Sequence, residues 1–276
     1  MGNFKVGIQL YSLRDKMEAD MYGTLKAVKE MGYDCVELAG YFGKTGEEIR
    51  SILDELGLEC VSVHHLIDPD NGGEEVAKFL NTIGAKYAAI PWYNADEFHK
   101  NWEATIEKFT KLGKFLSENG ISLLYHNHDF EFQKKDGEII LDKLYSTIDE
   151  KYLNPEFDTC WIKYAGYEPV EYLEKYAGRI NVVHIKDFWA KKLANGPVYA
   201  LIDSEGKVDE EEQSVETERD FEFRPVGSGV QDVKAIVEAS LKAGAEYIIV
   251  EQDQWYEGDN LADAKKSREY LKSLGY

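Results

Sequence analysis

The sequence predicts a single domain of the α/β class over residues 1–276, built as a (β/α)8 barrel. Three observations lead to this prediction. An amphipathic helical stretch, a glycine and a short apolar run recur along the chain. Eight such runs are found over a length that suits one barrel. No Gly-x-Gly-x-x-Gly follows the first run, which removes the usual dinucleotide-binding form of the rival open sheet.

The predicted strands, in order, begin with Lys5–Gln9. Gly32 precedes Cys35–Leu38, Gly57 precedes Cys60–His64, Gly84 precedes Tyr87–Ile90, and Gly120 precedes Ile121–His126. Glu156–Thr159 follows Pro155 and has the weakest pattern. Gly178 precedes Ile180–Ile185, and Gly244 precedes Tyr247–Glu251. Each of these glycines suits the left-handed position that ends a helix. The runs behind them are short and apolar, as strands buried on both faces should be. Thr45 and Glu48 form a capping-box pattern ahead of an apolar face made by Ile49, Ile52, Leu53 and Leu56. Ile106, Phe109, Leu112 and Leu116 make a second such face, and a last helix is expected over about Leu261–Leu274.

One segment breaks the rhythm. Residues 188–229 separate the seventh strand from the next helix and carry an acidic run from Asp209 to Glu212. Two readings stand: a solvated surface excursion, or a lid over the barrel mouth. Residues 198–208 have the pattern of a small hairpin.

Composition narrows the function classes. Apolar residues make up 43% of the chain, enough for a sizeable core. A net charge of −20 argues against a nucleic-acid or anionic-membrane partner. No apolar run reaches the roughly 18 residues of a membrane span. Cys35, Cys60 and Cys160 lie far apart in apolar runs and read as reduced, buried thiols in a cytoplasmic protein.

In a barrel, chemistry sits where strands run into the following loops. Those ends are polar here. They carry Gln9, Tyr11 and Ser12, then Glu37, then His64 and His65, then Trp92. The fifth gives His126, Asn127, His128 and Glu131; the sixth gives Asp158 and Trp161. The seventh gives His184, Lys186 and Asp187, and the eighth Glu251 and Asp253. Asp158, His184, Glu251 and one group from the fifth strand can converge on a divalent ion. Mixed imidazole and carboxylate donors suit Mn, Co, Zn or Fe, and carboxylate-rich sets admit Mg. Structural readings stand beside these: His184 as a hydrogen-bonded core histidine, Asp158 as a cap, Glu251 as the partner of a barrel lysine, and Glu37 as a supporting group. Only one of His64 and His65 can face the barrel interior in a regular strand.

Five stretches together carry a family resemblance: residues 7–14 (GIQLYSLR), 125–132 (YHNHDFEF), 157–161 (FDTCW), 184–187 (HIKD) and 225–229 (PVGSG). In order and over nearly the whole chain, they resemble the sugar phosphate isomerase/epimerase family. That family belongs to the xylose-isomerase-like TIM-barrel superfamily, with inosose dehydratases, ketose 3-epimerases and endonucleases of the IV type. The resemblance implies a Glu, Asp, His and Glu holding a metal at the ends of strands five to eight. Asp158, His184 and Glu251 match the last three. His126 stands where the first Glu would be, so either His126 ligates or Glu131 folds back to do so.

The resemblance implies a divalent-metal-dependent isomerase/epimerase or dehydratase acting on a sugar, keto-sugar or cyclitol through an enediolate. Glu251 or Glu131 would be the base and His128 or His126 the partner acid. His65, Trp92, Trp161, Lys186 and Asp187 are the candidate substrate contacts. Two alternatives remain: a metal-free or inactive sugar-binding barrel, and a nuclease, which the net charge disfavours. A homodimer is expected from the resemblance alone.

Overall fold

A computed structural model describes residues 4–65, 67–193, 221–256 and 258–276. Eight parallel strands close into a barrel: β1 (Lys5–Gln9), β2 (Cys35–Leu38), β3 (Glu59–His64), β4 (Tyr87–Ile90), β5 (Ser122–His126), β8 (Asn154–Asp158), β9 (Val182–Ile185) and β12 (Tyr247–Val250). β12 pairs with β1 to complete the ring. The predicted (β/α)8 architecture is the observed one. Two small antiparallel pairs lie outside the ring: β6 (Lys134–Lys135) with β7 (Glu138–Ile139), and β10 (Asp187–Ala190) with β11 (Phe221–Arg224). No described helix is long and apolar enough to cross a membrane.

The glycines act as their positions suggest. Gly32, Gly57, Gly84, Gly120, Gly178 and Gly244 have φ between +65° and +102°, where a side chain would be strained. Gly57 ends α3 (Gly46–Leu56), which starts with the reciprocal Thr45–Glu48 capping box. Ile49 and Leu53 of that helix are buried against the barrel. In α6 (Trp102–Glu118), Phe109, Leu112 and Leu116 do the same.

The largest strand correction concerns the sixth barrel strand. It runs over Asn154–Asp158, two residues earlier than predicted at its start, and Thr159 opens the short helix α8 (Thr159–Tyr164). Asp158 caps that helix, its Oδ1 accepting from the Cys160 N–H at 2.8 Å. The capping signal therefore stops the strand before Thr159. The hairpin expected over 198–208 and the acidic run 209–212 lie outside the described residues.

The barrel interior is layered with the period of two that a strand imposes. The lower layer is apolar: Cys35, Val61, Tyr87, Ala89, Leu124, Val182, Tyr247 and Ile249 form one buried cluster. Gly7 belongs here because a Cβ at this position would lie 2.7 Å from both Cys35 Sγ and Ile249 Cδ1. Below it, Tyr247 donates to Glu59 at 2.8 Å, and Lys86 donates to Tyr247 at 2.6 Å. Two residues further along several strands, the layer turns polar. Cys35 leads to Glu37, Leu124 to His126, Val182 to His184, and Ile249 to Glu251. The main core lies instead between strands and helices. The three cysteines are free and buried.

Candidate active site

The polar layer has two storeys. In the upper one, His126 (β5), Asp158 (β8), His184 (β9) and Glu251 (just past β12) bring four donor atoms within 4.8 Å of one another. His126 Nε2 lies 3.5 Å from Asp158 Oδ2 and 3.9 Å from Glu251 Oε2. His184 Nδ1 lies 2.9 Å from Glu251 Oε2. Lys186 reaches the same place: its Nζ stands 3.0 Å from Asp158 Oδ2, from Glu251 Oε2 and from Asp253 Oδ1. Asn127 ties the two strand ends together, accepting from the Asp158 N–H at 3.0 Å and donating to the Asp158 carbonyl at 3.3 Å.

In the lower storey, His64 (β3) inserts between two buried carboxylates. Its Nε2 lies 2.6 Å from Glu156 Oε2 and 2.8 Å from Glu37 Oε1. Glu156 Oε2 is also 3.3 Å from His126 Nδ1, and Glu37 Oε1 is 3.0 Å from His184 Nε2. Gln9 donates to the same Glu37 oxygen.

The charges follow from this packing. Burial works against ionising Glu251, but Lys186 and His184 outweigh it and hold the carboxyl well below the usual range. Burial pushes the Asp158 carboxyl up to about 6, with Lys186 opposing. Burial also disfavours charge on His64, yet Glu37 and Glu156 lift its imidazole to about 10. His184 is raised for the same reason, against burial, by Glu37, Glu156 and Glu251. Burial and the neighbouring cations keep His126 and His128 neutral, well below the ordinary histidine value.

Not every predicted site residue joins the cluster. Glu131 does not fold back to it. Its carboxylate accepts from the Tyr125 hydroxyl at 2.6 Å and from the His128 N–H at 2.8 Å. Tyr125 alternates with His126 and packs against Phe98 and Phe109, on the helix side of the strand. Glu131 is thereby held outside the barrel axis, and His126 is the fifth-strand group that faces the other donors. His65 also turns outward, its ring 5.2 Å from Tyr41, whereas its neighbour His64 faces in.

Asp187 is the clearest correction among the candidate substrate contacts. Its Oδ1 accepts from the N–H groups of Phe188 (2.9 Å) and Gln231 (3.2 Å). Its Oδ2 accepts from those of Gly227 (3.0 Å) and Gly229 (2.9 Å). All four acceptor sites of the carboxylate are filled by backbone. Asp187 is a loop fastener, with no acceptor left for a ligand.

Trp161 is fully buried, stacks on Phe221 at 5.6 Å and carries Lys186 Nζ 5.3 Å above its ring. His128 sits 5.9 Å away from it. Trp92 is half-buried, and among the described residues its indole N–H has no hydrogen-bond partner. His64 and Glu156 had no assigned role in the sequence reading. A signal for Glu156 was present, since it shares parity with Asp158 two residues on and must face the same side.

Glu131 offers a test of its own. Burial pushes its carboxyl from an ordinary 4.5 up to about 8, against the pull of the Tyr125 and His128 donors. A raised acid favours the folded state while protonated, so its contribution is full below about pH 4.5 and is lost as pH rises through about 8. Glu131→Gln, which cannot ionise, is expected to flatten the fall in unfolding free energy over that window. Identical slopes for both proteins in denaturant titrations would refute the assignment.

Residues 25–274 match the xylose isomerase-like TIM barrel family. The chain belongs to this family. The inosose dehydratase of Clostridium beijerinckii is 31% identical over 81% of this chain. That of Geobacillus kaustophilus is 28% identical over 59% of it. The matched stretches span 67% and 60% of those two proteins. A sugar phosphate isomerase/epimerase from Parabacteroides distasonis superposes with a TM-score of 0.72 at 23% identity, covering 97% of this chain and 98% of that one. An IolI protein with a bound zinc atom superposes with a TM-score of 0.66 at 12% identity, covering 98% and 97%. These structural likenesses show the shared barrel fold.

Proposed function

We propose that this barrel is a divalent-metal-dependent enzyme acting on a sugar, keto-sugar or cyclitol, by isomerisation, epimerisation or dehydration through an enediolate. The observation that carries this reading is the buried convergence of His126, Asp158, His184 and Glu251 from four successive barrel strands. The donor set fits a divalent ion. Two imidazoles and two carboxylates balance its charge and suit Mn, Co, Zn or Fe. Asp158 Oδ2 is buried, with Lys186 Nζ at 3.0 Å and His126 Nε2 at 3.5 Å.

A metal held there would polarise a carbonyl and its neighbouring hydroxyl and stabilise the enediolate. The chain's own groups supply the rest. Glu251, kept ionised by Lys186 and His184, is the carboxylate placed to take a proton from the carbon beside that carbonyl. Lys186, held between Asp158, Glu251 and Asp253, is a cation placed to meet substrate oxygen or to shuttle a proton. Trp161 and His128 wall one side, and neutral His128 can give or take a proton. The inosose dehydratase relatives favour loss of a β-hydroxyl over epimerisation, and a cyclitol ketone as the substrate class.

One observation favours a second reading. Lys186 already neutralises Asp158 and Glu251 at 3.0 Å each, as a metal-free binding or acid–base site would require. Elemental analysis of purified protein, with Asp158→Ala and His184→Ala, separates the two. About one divalent ion per chain, lost in both variants, supports the metal enzyme. Wild-type protein that stays metal-free after soaking in Mn²⁺ or Zn²⁺ overturns it in favour of the Lys186 site.

A further inference from the structure

The lower storey is buried, polar and unused by the chemistry above it. Glu37, Glu156 and His184 are each 0% exposed. Among the described residues, Glu37 Oε2 and Glu156 Oε1 have no hydrogen-bond partner. Such a cluster is costly in a barrel core unless it does something. The two ligand histidines give the clue, because each has one nitrogen in each storey. His126 presents Nε2 to Asp158 and Glu251, and Nδ1 to Glu156. His184 presents the opposite pair: Nδ1 to Glu251, and Nε2 to Glu37. His64 stands between the two carboxylates, and its ring lies parallel to that of His184, with centroids 5.3 Å apart.

We propose that Glu37, His64 and Glu156 form an orienting cradle that holds His126 and His184 in opposite tautomers, so that His126 Nε2 and His184 Nδ1 face the metal. The inference rests on the metal site proposed above. A histidine ligand commonly donates its second N–H to a carboxylate, which fixes the tautomer and strengthens the ligand. Glu156 serves His126 in this way, and Glu37 serves His184. His64 keeps the two carboxylates apart and compensates their charge. These three are positioning residues, and none is required to touch substrate.

The rival is a second cation, since His64, His126, Glu156 and His184 also offer donor atoms within 4.8 Å. The hydrogen-bonding of His64 favours the cradle, and the zinc stoichiometry of the loaded chain decides between the two. Tetrahedral bonds of about 2.1 Å separate ligand atoms by roughly 3.4 Å. The closest contacts in the lower storey are 2.6 and 2.8 Å, both on one His64 nitrogen, which is hydrogen-bond spacing. Glu37 Oε1 is moreover already an acceptor for Gln9. Both storeys mix such short contacts with longer ones: 3.5 and 3.9 Å from His126 Nε2 above, beside 2.9 Å between His184 and Glu251, and 3.3 and 3.5 Å from Glu156 to His126 and His184 below.

The test uses the full chain loaded with Zn²⁺. Long-range proton–nitrogen NMR of the histidine rings, assigned through histidine substitutions, reads each tautomer directly. His126 is expected to carry its proton on Nδ1 and His184 on Nε2. Chelator competition then compares wild type with Glu37→Gln and Glu156→Gln, checked for folding by circular dichroism. Each variant is expected to bind zinc about 10- to 100-fold more weakly. Wild type that binds one zinc, with both histidines in the same tautomer or with affinity unchanged in both variants, overturns the cradle and leaves the metal site standing. Two zinc ions per chain overturn it in favour of a second cation site. Wild type that binds none overturns both readings. The NMR result on wild type stands even where a variant fails to fold.

Discussion

Glu251→Ala is expected to leave a folded barrel whose turnover of a keto-sugar or inosose falls by about 10³-fold or more. The substitution leaves the backbone intact, including the bond from the Glu251 N–H to the Ile185 carbonyl at 3.2 Å. What it removes is chemical. Glu251 is the carboxylate shared by His184 at 2.9 Å and Lys186 at 3.0 Å, and the one we propose as both ligand and base. Glu251→Gln separates the two contributions. The amide keeps the volume and one oxygen but cannot accept a proton, so the catalytic loss should persist while metal binding partly survives. Steady-state kinetics, circular dichroism and metal content on the same samples give the answer. A variant that retains wild-type turnover would sink the assignment of Glu251, whatever its metal content.

Asp187→Ala is the largest expected stability effect. Four backbone N–H groups lose their acceptor together, two from the 227–229 turn and two from residues 188 and 231. Hydrogen bonds to a charged acceptor contribute about 1.5–3 kcal/mol each, and these are partly exposed and not additive. A loss of roughly 3–5 kcal/mol is expected, or a fall of about 10 °C in melting temperature for a chain of this size. Asp187→Asn should recover little, since its amide nitrogen would confront two donors. Thermal unfolding measures the first effect, and the Michaelis constant measures the competing one. A change below about 1 kcal/mol with a tenfold rise in KM would restore Asp187 to the substrate site.

The reading of Asp187 shows where sequence reasoning runs out. Lys186 and Asp187 are adjacent, so alternation alone puts them on opposite faces. Lys186 shares parity with His184 and faces the barrel axis; Asp187 faces away and meets the 227–231 turn. The same rule separates His64 from His65 and Tyr125 from His126. Parity was thus enough to sort which residues look inward. It was not enough to say at what depth they sit. Glu156 and Asp158 share a face, yet one lies beneath the cluster of His126, Asp158, His184 and Glu251 and the other within it. Depth depends on how neighbouring strands are staggered, such as the register of Asp158 with His184 and of Glu156 with His126. That stagger is a property of the closed ring. The barrel itself was legible because glycine-terminated helices and short apolar strands are local signals. The choice between His126 and Glu131 is open in the sequence for a further reason: the chain leaves the extended state at once, in the 3-10 turn Phe130–Phe132. No strand parity applies to it there.

The pairing of β10 with β11 has a consequence for how this barrel can vary. Ala190 stands opposite Phe221, so the chain leaves and returns at one rung of a two-stranded stem. Asp187 fastens the near end of that stem to the 227–231 turn, and Trp161 stacks on Phe221 at the far end. Whatever joins the two strands beyond that rung has its ends already brought together, and the entropic penalty of lengthening a closed loop grows only slowly with its length. The length of that connection can therefore change while the register of the stem, and of the barrel strands that carry His126, Asp158 and His184, stays as it is.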